Sequence, residues 1–428
     1  MLLLFGMMLA FIMVGMELGT AMGLSGMVYI LYSWLGPSPI PLSIIPQNFV
    51  YGLDSFPLLA VPLFMLAGEL MEKGGVTARL VRFARALVGH ITGGLANVSV
   101  VVNMIMAGMS GSSVADAAAT GTILIPAMKK AKYPPEMAAA VIASSATIGP
   151  IIPPSIPFVL IGSMTGVSIG RLFLGGAVPG LLMGLMLLIT TYMIARKRKM
   201  GKETEFNGKE LLLSTRDAVL CLLMPVVVLG TMIFGIATPT EASGIAVAYA
   251  LFLGGVIYRE FTWASLVEAV KNSAVTTASI TFTIAGASVI GWVATSEQIG
   301  PKLAQAFLAI TDNPLLIMFM INALILLLGF PLEPLPMIMM LIPILMPVVK
   351  QLGIDPVHFI VVFTVNIQLA LLTPPVGANL FVVTAISKST ILEVSRALIP
   401  FLVALLVALV ILIVYPPITL WLPKALMG

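Results

Sequence analysis

The stretch Gly149-Pro150-Ile151-Ile152-Pro153-Pro154-Ser155-Ile156-Pro157 lies in the middle of an apolar segment, residues 136–164, that is long enough to cross a bilayer. Its four prolines lack amide donors and clash with the preceding turn, so this segment cannot continue as one helix. Unwound backbone at membrane depth is tolerated only where it is buried in protein or lines a wet cavity, because each unpaired amide in hydrocarbon costs several kcal/mol. We therefore predict a broken helix here.

A second broken segment follows 221 residues later. Residues 356–386 are again apolar, and Thr373-Pro374-Pro375-Val376-Gly377 interrupts them. The same offset relates Gly108 to Gly329, Pro126 to Pro347, Lys129 to Lys350, and Pro135 to Pro356. Broken helices at matching places in two halves of a membrane protein are the best sequence indication of a transporter site.

Composition places the chain in a membrane. Its mean hydropathy is +1.11, 59% of its residues are hydrophobic and only 9% are charged, whereas a soluble protein carries roughly 25% charged residues. The single cysteine, Cys221, excludes an intrachain disulfide framework and a thiolate cluster. Nucleic-acid binding is not expected from the net charge of +4, because the basic residues lie in loops beside apolar spans.

The pattern predicts an all-α protein of about ten full transmembrane spans, two re-entrant hairpins and two broken helices. A first repeat covers 1–195, with a hairpin over 95–128 and the broken helix over 136–164; a cytoplasmic linker covers 196–216; and a second repeat covers 217–428, with a hairpin over 313–350 and a broken helix over 356–386. Other spans are predicted near 2–17, 21–35, 57–72, 172–195, 217–236, 240–257, 275–294 and 392–415. Two stretches, 73–90 and 297–310, are predicted to lie in the membrane interface.

Each half then crosses the membrane an odd number of times, so the second half is inverted relative to the first. With the linker in the cytoplasm, eighteen of the 22 Lys and Arg residues are cytoplasmic. The other four are Arg171, Lys302, Lys350 and Lys424. This asymmetry follows the positive-inside rule and predicts that both termini lie outside.

Catalytic chemistry is poorly represented. The two histidines, His90 and His358, fall near segment ends, and the acidic residues Asp116, Glu241 and Glu333 are isolated from one another. Neither an activated nucleophile nor a metal cluster is indicated, so a membrane-embedded enzyme is disfavoured.

Polar residues are instead concentrated at the hairpin tips and the breaks. In the first half, hydroxyls and free carbonyls could hold one small cation, with Ser110, Ser112 and Ser113 at the tip and Ser145 and Gly149 at the break. Polar groups inside an apolar stretch cost free energy unless they bind something. The alternative is close packing of small residues between the hairpin arms.

In the second half, Gly329, Glu333, Thr373 and Gly377 are predicted to form a second cation site. The alternative for Glu333 is that its carboxylate caps the helix that starts at Pro334.

An anionic substrate finds no Lys or Arg in the middle of any predicted span. It would have to rely on helix N-termini near Ser113, Ser155, Glu333 and Gly377, with hydroxyls and amides. The predicted substrate contacts are Ser113, Asp116, Ser155, Asn366 and Asn379.

Four motifs carry a family resemblance that extends over nearly the whole chain. They are the sequence from Gly111 to Gly121 (GSSVADAAATG), the break from Gly149 to Pro157, the sequence from Ala237 to Ala242 (ATPTEA), and the sequence from Leu372 to Leu380 (LTPPVGANL). Together they resemble the large membrane subunit of TRAP transporters, the tripartite ATP-independent periplasmic family.

The resemblance implies a bacterial inner-membrane, sodium-driven importer of organic acids such as C4-dicarboxylates or sialic acid, with Na+ as coupling ion and an elevator mechanism. It also implies a small four-span membrane subunit and a periplasmic substrate-binding protein as partners, in contact with membrane lipid. The alternatives are a stand-alone dicarboxylate or citrate symporter that needs no binding protein and, less favoured, a membrane-embedded enzyme.

Overall fold

The computed structural model describes residues 2–36, 39–329, 332–374 and 377–428, and in those ranges the chain forms twenty α-helices and no β-strand. The first half contains α1 (Leu2–Met13), α2 (Leu18–Trp34), α3 (Ile44–Tyr51), α4 (Ala60–Lys73, preceded by a 3-10 turn, Phe56–Leu59), α5 (Val76–Val88), α6 (Gly94–Ser110), α7 (Ser113–Lys130), α8 (Pro135–Ala146), α9 (Ile156–Thr165) and α10 (Ile169–Lys197).

The second half repeats this order without a counterpart of α3 and with one additional helix at its end. It contains α11 (Gly208–Ile233), α12 (Pro239–Phe252, extended by a π-helical turn, Leu253–Ile257), α13 (Trp263–Ser296), α14 (Ile299–Leu308), α15 (Pro314–Gly329), α16 (Pro334–Gln351), α17 (Pro356–Ala370), α18 (Ala378–Ser387), α19 (Ile391–Val414) and α20 (Pro417–Met427).

Helices α6 and α7 form a hairpin whose tip is Gly111, which adopts a left-handed φ of 61° that favours glycine. Helices α8 and α9 are separated by residues 147–155, where the prolines end one helix and Ser155 caps the next. Helices α15 and α16, and α17 and α18, repeat this arrangement. Two predicted features fall partly outside the described residues, because Phe330 and Pro331 belong to the second tip and Pro375 and Val376 to the second break.

Three local features differ from the sequence expectation. The hydropathy pattern predicts neither α3 nor α20, because both helices are too short to give a membrane-length apolar segment. About half of the predicted linker over 196–216 is helical, because only residues 198–207 lie between α10 and α11. Hydropathy marks only the apolar part of a span, so the span predicted from residue 217 starts later than the helix itself. In the structure α11 starts at Gly208, because Asn207 caps it by accepting hydrogen bonds from the amides of Lys209 and Glu210.

Six helices of the described chain are long and apolar enough to cross a membrane, and a seventh span results if the 3-10 turn and α4 are joined to α3 across a 56° bend. Several further apolar helices are shorter than a full span, which is expected of hairpin arms and broken helices. The chain is therefore a multi-pass membrane protein, and the count of ten full spans stays a prediction.

Packing between the two halves is reciprocal. Helix α2 packs on α13 and α4 packs on α12; α9 packs on α16 and α18 packs on α7; α10 packs on α17 and α19 packs on α8. The hairpins and broken helices thus form one packed group. Two further helices lie against this group: α4 contacts α6 and α9, and α13 contacts α16.

The amphipathic helix α5 carries three arginines on one stripe, as the sequence indicates. Each pairs with a carboxylate of residues 203–260: Arg79 with Glu260 (3.2 Å), Arg82 with Glu210 (2.7 Å) and Asp217 (2.6 Å), and Arg85 with Glu203 (3.5 Å). Exposed ion pairs contribute about 0–1 kcal/mol each. They therefore orient α5 against α11 and the linker more than they stabilise the fold.

Candidate functional site

The first hairpin tip lies directly against the first break. A Cβ on Gly111 would come 2.9 Å from the carbonyl oxygen of Pro154, and a Cβ on Gly149 would overlap Oδ2 of Asp116. Only glycine allows the backbone and its neighbours to come this close, because it has no side chain. Gly111 and Gly149 therefore permit the contact between the first hairpin tip and the first break.

Ser110 and Asp116 meet at this contact. The Ser110 hydroxyl donates to Oδ1 of Asp116 at 2.6 Å and accepts from the Ser112 amide at 3.3 Å. Asp116 is fully buried, and its Oδ2, which faces Gly149, has no hydrogen-bond partner among the described residues. A buried carboxylate oxygen without a partner is costly unless a cation or proton joins it.

Ser112 and Ser113 begin α7. Ser112 has extended backbone angles, and its Oγ accepts from the Ala115 amide at 3.4 Å, which makes it the N-cap of the helix. The hydroxyl of the buried Ser113 accepts a 2.6 Å hydrogen bond from Nδ2 of Asn379, on α18 of the other half. Asn379 also donates to the carbonyl of Ala143 at 3.2 Å, so it connects α18 to both α7 and α8.

Each hairpin is also joined to its own broken helix by a buried asparagine. Asn103 of α6 donates to Oγ of Ser145 at 2.6 Å, and Asn366 of α17 donates to Oδ1 of Asn322 in α15 at 2.7 Å. Ser145 and Asn366 are 221 residues apart, so the two joints occupy equivalent places. The sequence analysis did not single out Asn103 and Asn322, although an asparagine in an apolar hairpin arm is the signal that could have found them.

Ser155 lies inside the first break. Its hydroxyl donates to the carbonyl of Pro150 and accepts from the amide of Phe158, and the residue is fully buried. The Ser155 hydroxyl therefore stabilises the conformation of the break and caps α9.

The residues predicted for a second sodium site surround the second tip and break. A Cβ on Gly329 would come 2.6 Å from Cβ of Ala370, so the end of α15 touches the end of α17. The Thr373 hydroxyl donates to the carbonyl of Ala370 at 2.9 Å, and Gly377 starts α18 at a φ of 24°. Glu333 stands at the N-cap of α16, but its exposed side chain makes no capping hydrogen bond, so the predicted capping alternative is not supported by a contact.

A cavity of about 330 Å³, here called the central cavity, lies between these elements and the helices α4 and α13. The first residues of four helices line it: Ser113 of α7, Ile156 of α9, Pro334 of α16 and Ala378 of α18. Each helix N-terminus carries roughly half a positive charge and, except at proline, free amide donors. Four of them directed at one cavity make it suited to an anion.

The polar side chains of the central cavity are few. Among the described residues that line it, Glu333 is the one charged residue, and Ser112, Ser113, Thr276, Ser279 and Gln368 supply hydroxyls and an amide. Gln368 is almost fully buried, and its Oε1 has no partner among the described residues. It belongs to the site although the sequence analysis did not assign it a role. Asn366 and Asn379 lie behind the lining, in the joints described above.

Asp116 lines a neighbouring cavity of about 300 Å³, together with Glu69, Glu72 and Ser110. The two cavities adjoin, since Ser112, Val114 and Ile156 line both. The carboxylates of this second cavity make it suited to a cation, whereas the central cavity suits an anion.

Comparison with known proteins matches residues 5–418 to the family model described as the tripartite ATP-independent periplasmic transporter, DctM component. The chain belongs to this family, as its large membrane subunit. The resemblance read from the sequence motifs is thereby confirmed.

Relatives of this TRAP subunit cover nearly its whole length. It is 41% identical to the sialic acid TRAP transporter large permease protein SiaM of Vibrio cholerae over 89% of this chain and 90% of that protein. It is 38% identical to the 2,3-diketo-L-gulonate TRAP transporter large permease protein YiaN of Escherichia coli over 96% of each chain. It is 36% identical to the C4-dicarboxylate TRAP transporter large permease protein DctM of Vibrio cholerae over 100% of this chain and 98% of that protein.

Among solved structures, the fold is similar to that of the YdaH transporter of Alcanivorax borkumensis. The TM-score is 0.64 at 14% identity, over 92% of this chain and 96% of that one. At this identity the likeness concerns the fold alone.

Proposed function

We propose that this subunit carries an organic acid anion across the bacterial inner membrane, and that the central cavity binds the acid. The main support for this proposal is that four helix N-termini line the central cavity, whose described lining contains no Lys or Arg. The substrates named for the relatives, sialic acid, 2,3-diketo-L-gulonate and C4-dicarboxylates, share a carboxylate. A carboxylate would accept hydrogen bonds from the free amides at these helix starts.

The first hairpin tip and break supply a set of oxygen atoms that fits a sodium ion. Small hard cations prefer hydroxyl, carbonyl and carboxylate oxygens, and Ser110, Ser112, Gly149 and Asp116 bring these together. Ser113 follows Ser112 in the chain, and Ser145 lies four residues before Gly149. The partnerless Oδ2 of Asp116 supports a cation at this place. We therefore propose a place for Asp116 in the first cation site, beside Gly149, instead of in direct contact with the substrate.

Glu333 supports a second sodium ion. It is the one charge in the described lining of the central cavity, and a free carboxylate there would repel an acid. A sodium ion held by Glu333 with carbonyls near Gly329, Thr373 and Gly377 would cancel that repulsion. Sodium would thereby raise the affinity for the anion, which is the linkage that coupled transport requires.

The movement we propose is an elevator within an inverted repeat, with both termini in the periplasm. The reciprocal packing of the two halves, the 221-residue offset and the predicted placement of eighteen of the 22 Lys and Arg residues on one side support the repeat. The hairpins and broken helices would move together, carrying both cavities, against a scaffold that includes α4 and α13. The family name indicates a binding protein, and we propose that it and a small membrane subunit complete the transporter.

The test is uptake into proteoliposomes that contain this subunit and its small subunit, with a labelled organic acid and the binding protein outside. We expect uptake that requires an inward sodium gradient and the loaded binding protein. Uptake that proceeds equally without the binding protein would favour the stand-alone symporter. Accumulation that is independent of sodium would refute the coupling.

A further inference from the structure

A basic cavity of about 570 Å³ lies at the C-terminal end of α7, which is the end opposite the first hairpin tip. Four cations line it, one each from α7, the end of α10, the end of α18 and α19: Lys129, Arg198, Lys388 and Arg396. Two carboxylates, Glu136 and Glu393, also line it. The lining thus carries a net charge of +2.

These charges form no ion pairs within the described part of the chain. None of the four cations takes part in an ion pair between described residues, whose pairs all involve Lys73 or the arginines of α5. Lys129 donates one hydrogen bond to the carbonyl of Ser387, and Glu393 is engaged in capping α19 through the amide of Thr390. The two arginines therefore face the cavity without a carboxylate partner from these residues.

The equivalent crevice in the other half is covered. There α20 packs across α10 and α17, and a Cβ on Gly175 would come 3.1 Å from the Thr419 carbonyl oxygen and 3.0 Å from a methyl of Val357. An offset of 221 carries Gly175 to Arg396 and relates Val357 to Glu136, two residues of the basic cavity. Where one half has a glycine and a covering helix, the other has an arginine and an open cavity.

We propose that this basic cavity binds the phosphate headgroup of an anionic phospholipid. Arginine presents parallel N–H groups that match phosphate oxygens, and basic pockets between helices on the cytoplasmic side are suited to such headgroups. The acyl chains have a surface beside it: Leu392, Arg396, Ile399 and Val403 follow the helical spacing of one face of α19, and the three apolar members are 61%, 58% and 53% exposed.

The experiment measures lipid binding by native mass spectrometry on the delipidated transporter, this subunit with its small subunit, titrated with cardiolipin, phosphatidylglycerol or phosphatidylcholine. The test variant is Arg198→Gln with Arg396→Gln. The matched control is Lys202→Gln with Lys209→Gln, which removes the same charge from residues outside the cavity lining. A third variant, Arg198→Lys with Arg396→Lys, keeps the charge and loses the paired N–H groups.

We expect cardiolipin and phosphatidylglycerol to bind the wild type and the control equally, and the glutamine variant about tenfold or more weakly. The lysine variant should fall between them, with an unchanged melting temperature in detergent for all three. Equal lipid binding by all variants would overturn the proposal. If inorganic phosphate saturates the cavity and no anionic lipid binds, the cavity is a site for a soluble anion and the proposal is overturned. If the glutamine variant loses the small subunit while its lipid binding is unchanged, the cavity is a site for a protein partner and the proposal is overturned as well.

Discussion

The contact between Gly149 and Asp116 gives the sharpest test of the first cation site. In the Gly149→Ala variant the new methyl overlaps Oδ2 of Asp116, so either the carboxylate or the break must move. The carboxylate is held at Oδ1 by the Ser110 hydroxyl at 2.6 Å. A hydrogen bond to a charged group contributes about 1.5–3 kcal/mol, so losing it at the ion site should weaken sodium binding roughly 10- to 150-fold.

The assay is uptake of labelled substrate into proteoliposomes at increasing sodium, with the melting temperature measured in parallel with and without sodium. We expect a higher half-saturating sodium concentration and a smaller stabilisation by sodium, because a ligand at free concentration L that binds only the folded state stabilises it by RT ln(1 + L/Kd), which falls as Kd rises. Gly244→Ala is the control, since no heavy atom of the described residues lies within 4 Å of a Cβ placed there, apart from the chain neighbours and the backbone of its own helix. It should leave uptake unchanged.

Ser110→Ala tests the same contact without adding bulk, which separates the loss of the hydrogen bond from overpacking of the break. This variant should raise the half-saturating sodium concentration by a similar factor, roughly 10- to 150-fold. If sodium dependence and maximal rate are those of the wild type in both Gly149→Ala and Ser110→Ala, the contact is packing and our reasoning about the first site is refuted.

Three further predictions concern the tip, the joint between the halves and the topology. Ser112→Ala should weaken sodium affinity about five- to 150-fold and lower stability by about 1 kcal/mol through loss of the α7 cap; uptake titrations that overlay those of the wild type would favour small-residue packing. Asn379→Leu should lower the free energy of unfolding by about 1–3 kcal/mol, because it leaves the buried tip hydroxyl without its donor; an unchanged denaturation midpoint would contradict the bridging role. Cysteines placed at Lys202 and Lys302 in a Cys221→Ala background should react with impermeant reagents from opposite faces, and labelling from one face would exclude the inverted repeat.

The breaks and hairpins could be predicted because their causes are local. Proline removes an amide donor wherever it stands, so the run from Gly149 to Pro157 predicts the end of α8 and the start of α9 without knowledge of any neighbour. The 221-residue offset likewise needs only the order of residues. Polar density at the tips indicates candidate site residues for a similar reason, since hydroxyls in an apolar stretch are costly in any fold.

The tertiary structure decided which of these residues meet. Asn379 and Ser113 are 266 positions apart, and their hydrogen bond depends on how α18 packs on α7, which is a matter of complementary surfaces between distant segments. The partition of Asp116 and Gln368 between two cavities depends on side-chain direction, as does the role of Asn103, and none of these can be read from hydropathy. The sequence thus determined where the helices break, because that depends on each residue's own backbone chemistry. Only packing determined that four helix starts share one cavity, because that depends on contacts between segments far apart in the chain.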